Sequence, residues 1–256
     1  MRNAILPCIA LLGLCVGALG GVATGQTRQD TAAMQSMTVA QLEKAGDECR
    51  AQKDYEQAIV YFREALRRES KNAKLYNKAG LAELSMGAYE GALADFGKTT
   101  KYDRRYPDGW NNLGVIYYVK RNYGTAVKNF RKAIALDPSR AVFHVNLGVA
   151  WFAQNDVNEA MREYTRALEL DPEVLAHTSN AGISAQIISR DERAKHDFMM
   201  ARIYARMGDV DSCLQCLRKA RENGYTDLKD VYREEEFSRV REDPRLAEIV
   251  SPPAAK

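Results

Sequence analysis

Histidine and tryptophan are scarce in this sequence, with three and two residues respectively among 256. The histidines, His144, His177 and His196, are not spaced as metal ligands would be, and His144 falls at a helix position that packs a bulky side chain. A nucleotide-binding glycine loop, a nucleophile elbow and a metalloprotease helix are all missing. Since catalysis needs converging titratable groups, we expect no enzyme activity, no cofactor and no metal ion.

Neither positive nor negative side chains predominate in the sequence. Lys and Arg total 37 and Asp and Glu total 34, which gives a net charge of +3, and the two signs are interleaved. Nucleic-acid-binding proteins usually concentrate Lys and Arg on one face, so we expect no nucleic-acid partner. With 46% hydrophobic and 28% charged residues, the composition is that of a globular protein.

The first 25 residues have the pattern of a secretory signal. Arg2 is their only charged residue, an apolar run covers residues 4–22, and small residues such as Ala23 and Gly25 follow. We predict a signal peptide over residues 1–25, cleaved after Ala23 or Gly25, and an exported protein that is periplasmic or secreted.

Two alternatives exist for this segment. It is long enough for an uncleaved membrane anchor, because a span needs about 20 apolar residues. It also resembles a lipoprotein signal at Cys15, although Leu14 replaces the small residue expected before the cysteine. Residues 26–38 are polar, and we predict a disordered linker there.

From residue 39 to 174, side chains of the same character recur every 34 residues without a gap. A glycine column, an alanine column and an aromatic column each have four members. These are Gly46, Gly80, Gly114 and Gly148; Ala58, Ala92, Ala126 and Ala160; and Phe62, Phe96, Phe130 and Tyr164. The period indicates a supersecondary unit whose copies must stack to bury their apolar faces.

The repeat resembles the tetratricopeptide repeat (TPR), most closely in its third copy. The signature positions there hold Trp110, Leu113, Gly114, Tyr117, Ala126, Phe130, Ala133 and Pro138. The resemblance implies an all-α, right-handed superhelical solenoid of hairpins, each made of a helix A and a helix B. Because Gly114 has no Cβ, we expect helix B to approach closely there, with Phe130 filling the space beside it.

The rest of the chain departs from the strict period. We predict an irregular insertion or degenerate helix over 175–190, a fifth hairpin over 191–222, a helical cap over 223–250 and a tail over 251–256. A cap is expected because the last repeat would otherwise expose its stacking face. The cap segment looks like those of many exported bacterial TPR proteins.

Cys213 and Cys216 have the spacing of a redox pair. Redox enzymes place such a pair at a helix start, where the helix dipole lowers a thiol pKa. Here the pair falls inside the predicted helix B of the fifth hairpin, and Cys213 takes the place of the alanine column. A buried packing role is favoured, and a disulfide or a redox thiol stays open.

The resemblance implies a groove, lined by the A helices, that holds a protein or an extended peptide. The residues expected to face it, here called the groove strip, are Asn77, Leu81, Leu84, Asn111, Val115, Tyr118, Val145, Val149 and Phe152. In some relatives the first repeat grips a terminal carboxylate with Lys and Asn. Glu43 and Asp47 take those places here, so we expect no such clamp.

Asn112, Asn146 and Asn180 lie one repeat apart. In some superhelical relatives such an asparagine ladder bonds a peptide backbone, since an amide both donates and accepts hydrogen bonds. Asparagine is also frequent at this place in the repeat, so a packing role stays open.

We therefore predict a non-enzymatic scaffold or adaptor of the cell envelope that binds a protein or peptide partner. The alternative is a membrane-anchored accessory component of an outer-membrane or pilus assembly machine. It requires an uncleaved N-terminal segment, the only part of the chain expected to meet a membrane. A thiol–disulfide redox protein is a third hypothesis and depends on Cys213 and Cys216 alone.

Overall fold

The computed structural model describes residues 34–175 and 190–251. Across these two ranges the regular secondary structure is helical and no strand occurs. The predicted signal peptide, Asn180 of the predicted ladder, most of the predicted insertion and residues 252–256 lie outside the described residues. The chain divides into two compact units between Gly109 and Trp110.

The helices follow one another as A and B members of hairpins, so the predicted all-helical hairpin architecture is confirmed. The first unit contains α1 (Val39–Ala51), α2 (Tyr55–Arg68), α3 (Ala73–Ser85) and α4 (Tyr89–Tyr102). Helix α5 (Pro107–Val119) begins at the boundary, and the second unit continues with α6 (Tyr123–Leu136), α7 (Ala141–Ala153), α8 (Val157–Leu170), α9 (Arg190–Met207) and α10 (Val210–Glu222). Within the units, α1 packs on α2, α3 on α4, α7 on α8 and α9 on α10. Among the described residues no helix is both long and apolar enough to cross a membrane.

The first four A helices end in the same left-handed turn. Lys53, Gly87, Arg121 and Asn155 recur at the repeat spacing and have φ between 58° and 75°. The backbone N–H of the residue that follows closes the turn. In the first hairpin, the Asp54 N–H donates to the Cys49 carbonyl at 2.9 Å. Of the four, only Gly87 adopts this conformation without steric cost. The turn thus sets where each hairpin reverses.

The glycine and aromatic columns form one contact that recurs in each of the first four hairpins. A Cβ added at Gly114 would lie 2.4 Å from Cε1 of Phe130, and one at Gly80 would lie 2.7 Å from Cε1 of Phe96. Both phenylalanine rings are fully buried. The close approach of helix B to helix A is therefore confirmed at these glycines.

Residues 34–38 depart from the predicted disordered linker. Met34 and Met37 pack against the apolar core of the first unit. The guanidinium of Arg68 donates to the Met34 carbonyl at 2.9 Å, and the Thr38 side chain caps α1. These two partly buried methionines hold the segment against the first hairpin.

The segment after Glu222 covers the apolar side of the last hairpin. It forms three 3₁₀ helices, Leu228–Tyr232, Glu235–Phe237 and Val240–Glu242, followed by α11 (Arg245–Ile249). Its buried residues Val231, Phe237, Val240, Leu246 and Ile249 share a core with Cys213, Leu214 and Leu217 of α10. Arg202 of α9 adds ion pairs to Glu234 at 3.0 Å and to Glu236 at 2.8 Å. The arrangement is that of a terminal cap.

Candidate functional site

The first unit holds three members of the groove strip, all on α3. Asn77 is buried, and Leu81 and Leu84 are partly exposed. Because Leu81 and Leu84 follow Asn77 at i+4 and i+7, the three share one face of the helix. In this unit a ligand could therefore contact the two leucines directly.

Lys78 of α3 lies between Glu43 and Asp47 of α1. Its ammonium donates to both carboxylates, and Lys74 pairs with Glu43 at 2.9 Å. Burial alone would raise the pKa of Glu43, but hydrogen bonds from the two lysines lower it. The two carboxylates thus have their own counter-ions, and they repel a negatively charged ligand less than the sequence suggested.

The second unit holds the rest of the strip on two A helices. Val115 and Phe152 are partly exposed, whereas Asn111, Tyr118, Val145 and Val149 are buried. The last three share an apolar cluster with Met199, Met200 and Ile203 of α9. Among the strip residues of this unit, only Val115 and Phe152 are therefore open to direct contact with a ligand.

Tyr118 lies near the start of α9. Burial is the largest cause that raises the pKa of its hydroxyl to about 12, and Tyr123 and Glu192 of α9 contribute to the same shift. The rings of Tyr118 and Tyr123 lie 5.2 Å apart. Tyr118 is thus a packed residue at the edge of the strip.

Three asparagine side chains form a hydrogen-bonded chain between α5 and α7. The Asn146 amide donates to the Asn111 carbonyl oxygen at 2.9 Å, and the Asn111 amide donates to that of Asn112 at 3.2 Å. All three are buried. Asn112 and Asn146, placed one repeat apart by the sequence, are therefore joined through Asn111, and their amides stabilise helix packing.

The two described histidines are both structural. His144 is buried, with Nδ1 2.7 Å from Oε2 of Glu163 and Nε2 3.3 Å from the Pro138 carbonyl. His196 of α9 lies 3.1 Å from the Tyr164 hydroxyl, and its ring meets that of Phe152 edge-on. His196 therefore helps to hold α9 against α7 and α8.

The docking of α9 should weaken in acid. Burial lowers the pKa of His196 from 6.5 to about 4. At a pH between 4 and 6.5, His196 is protonated in the unfolded chain and neutral in the folded chain. The free energy of unfolding therefore falls by about 1–3 kcal/mol as the pH decreases through this range. Denaturant titrations from pH 7 to pH 5 will measure this loss. His196→Phe, which keeps a ring and cannot titrate, should flatten the dependence; an equal slope in the variant would rule His196 out as its cause.

The two cysteines of α10 are in the helix interior, as predicted, and neither forms a disulfide. Cys213 is fully buried and Cys216 is partly buried. Burial raises the pKa of each thiol to about 12. Little thiolate is therefore present at neutral pH, which disfavours the redox hypothesis.

The sequence did not reveal a buried ionic cluster in the first unit. Arg63 of α2 donates from Nη1 to Oδ1 of Asp95 at 3.0 Å and from Nη2 to Oε1 of Glu83 at 2.7 Å. Both carboxylates are almost fully buried. The three residues come from different helices, so no local pattern marks them.

Comparison with known proteins agrees with this architecture. Family models described as tetratricopeptide repeat match residues 42–72, 107–140 and 141–174, and one described as TPR repeat matches residues 80–120. No curated protein sequence matches the chain significantly.

Several solved structures share the fold. MamA residues 41 to the end from Desulfovibrio magneticus RS-1 is 19% identical over 72% of this chain and 94% of its own, with a TM-score of 0.52. TTC0263, a thermophilic TPR protein of Thermus thermophilus, is 20% identical over 77% of this chain and 96% of its own, with a TM-score of 0.50.

YrrB, titled a TPR protein with an unusual peptide-binding site, is 16% identical over 81% of this chain and 95% of its own, with a TM-score of 0.50. At these identities the likeness concerns the fold alone. The family matches and the helical hairpins together show that residues 42–72 and 80–174 form tetratricopeptide repeats, within a chain that is helical throughout its described part.

Proposed function

We propose that this protein is a non-enzymatic scaffold that binds an extended peptide segment of a partner along the groove strip. The observation that carries the proposal is the arrangement of α5 and α7 in the second unit. There, partly exposed Val115 and Phe152 lie on the strip faces of two helices that the asparagine chain holds together. Partly exposed apolar side chains on two helices held in fixed positions can bury the side chains of a peptide.

The peptide-binding description of YrrB supports this proposal by analogy of fold. In the first unit, partly exposed Leu81 and Leu84 occupy the repeat positions of Val115 and Tyr118 on another A helix. Each unit therefore presents partly exposed apolar strip residues that a peptide could contact.

Truncation of the accessible apolar residues should weaken peptide binding. A peptide selected from a displayed random library against the full chain would be titrated by fluorescence anisotropy. We expect Val115→Ala with Phe152→Ala to weaken its affinity about tenfold or more, because truncated anchor residues carry much of a binding energy. Leu136→Ala removes an apolar side chain that is 38% exposed on α6, outside the strip, and serves as the control.

Equal affinity in the strip variant, with unchanged thermal melting, would mean that the strip is not the site.

Asn112→Ala with Asn146→Ala tests the amides separately. If they bond the peptide backbone, affinity falls for peptides of any sequence; if they only pack the helices, the melting temperature falls and the affinity of the folded protein does not.

We also propose that the protein acts in the cell envelope after export. The support is the signal pattern of residues 1–25, with Arg2 before a long apolar run. Mass spectrometry of the N-terminus from soluble and membrane fractions tests this. A soluble chain that starts at Thr24 or Gln26 fits the free adaptor, and an intact N-terminus in the membrane fraction fits the anchored assembly component. An intact N-terminus in the cytoplasm would contradict export.

A further inference from the structure

Helix α6 has an exposed face that carries only positive charge. Lys128, Arg131 and Lys132 lie at i, i+3 and i+4, and all three are exposed. No aspartate or glutamate occurs between Asp108 and Asp137. Among the described residues, no carboxylate lies within ion-pair distance of these three side chains. We call the three residues the cationic face.

The repeat itself does not require this imbalance. One repeat later, α8 has arginines at the positions of Lys128 and Lys132, and each pairs with a glutamate on its own helix. These pairs are Arg162 with Glu159 and Arg166 with Glu169, the latter at 3.1 Å. Helix α6 has Thr125 and Ala135 where α8 has the two glutamates. The charge is therefore compensated in the fourth repeat and left uncompensated in the third.

The only two tryptophans of the chain flank the cationic face. Nζ of Lys132 lies 3.5 Å from the ring centroid of Trp110 on α5, and the guanidinium carbon of Arg131 lies 5.0 Å from that of Trp151 on α7. Cation–π contacts of this kind restrain a long side chain while its N–H groups still face solvent. Two of the three cations are thus held in place before any ligand arrives.

We propose that the cationic face docks an acidic peptide segment of a partner protein. The three cations lie within roughly 6 Å along the helix axis, which suits two or three neighbouring Asp or Glu side chains. A nucleic acid or an anionic membrane is engaged by a longer basic track. Lys132 and Arg131 each cover one face of a tryptophan ring, which leaves less ring surface for base stacking. This surface is distinct from the groove strip.

Titration of the full chain with an octaglutamate peptide tests the proposal. Because both tryptophans contact the cationic face, their fluorescence should change on binding, and the affinity should fall as salt screens the charges. Lys128→Gln with Arg131→Gln and Lys132→Gln should weaken binding about tenfold or more. The matched control is Arg162→Gln with Arg166→Gln, the same positions one repeat later, which should stay within about twofold of the unmodified protein.

The single variant Lys128→Gln keeps the proposal testable if the triple variant is unstable. The cation–π contacts of the two tryptophans are with Arg131 and Lys132, so this change leaves them in place and should still weaken binding. Equal affinity in the Lys128→Gln variant and the unmodified protein would overturn the proposal, and so would an equal loss in the α8 control. Tighter binding of an oligothymidylate of eight nucleotides, or of anionic vesicles, would overturn it in favour of those ligands. The groove proposal concerns other residues, so its own titration would be unaffected by failure here.

Discussion

Phe130→Ala should lower the free energy of unfolding by about 3–5 kcal/mol, the usual cost of deleting a fully buried phenylalanine. Phe130 has no exposed surface, and its ring lies against the backbone of α5 at Gly114. Glycine has no side chain that could move into the cavity, so the void cannot collapse easily. Denaturant unfolding followed by circular dichroism will measure the loss. Leu136→Ala, an exposed position on the same helix, should cost less than about 0.5 kcal/mol.

The contact between Gly114 and Phe130 can be isolated by a double-mutant cycle. Gly114→Ala alone should destabilise, because its Cβ would lie 2.4 Å from Cε1 of a ring that has no room to move. In the Phe130→Ala background the same methyl group enters vacated space, so its cost should vanish or change sign. Additive effects would contradict the direct contact.

Arg63→Met should destabilise the first unit by about 3–5 kcal/mol, because it leaves buried charge without a partner. Nη2 of Arg63 lies 2.6 Å from Oδ2 of Asp95 and 2.7 Å from Oε1 of Glu83. Without the guanidinium, two carboxylates would face each other in a site shielded from water. Arg67→Met is the matched control, because Arg67 is exposed and, in the described part of the chain, forms an ion pair with Glu64 of its own helix alone. It should cost about 0–1 kcal/mol.

The loss of stability caused by Arg63→Met should depend on pH. Burial and the charge of Asp95 raise the pKa of Glu83 above its ordinary value of 4.5 even when Arg63 is present. The folded chain therefore holds its proton to a higher pH than the unfolded chain, and this carboxyl costs stability as the pH rises above 4.5. Removal of Arg63 enlarges that cost, so the variant should be closest to the unmodified protein at acid pH. A deficit that stayed constant from pH 7 to pH 4.5 would mean that Arg63 acts through packing alone.

The repeating part of the fold could be predicted because its causes are local. Close packing of helix A on helix B requires residues of particular sizes at Gly114, Ala126 and Phe130. The same residue types therefore recur in every hairpin that packs in this way. The turns follow the same logic, although Arg121 and Asn155 show that the left-handed position is imposed by the hairpin and does not require glycine.

The candidate site was predicted less completely. Helical spacing predicts that Asn111, Val115 and Tyr118 share one face of α5, but it carries no information about what covers that face. The burial of Val145 and Val149 alongside Met199 and Met200 depends on a helix about 50 residues away. Likewise, Asn146 reaches Asn112 only through Asn111, a pairing set by the offset between two packed helices.

The sequence by itself determined the hairpin unit, its 34-residue period and the identity of the residues at each contact within it. Only the tertiary structure decided which strip residues are accessible, how Arg63 is shared by two carboxylates, and how two tryptophans flank the cations of α6. The physical reason is the range of the interactions. Contacts within a hairpin repeat with the sequence and leave a periodic pattern, whereas burial, ion pairing and surface charge depend on elements far apart along the chain and leave none.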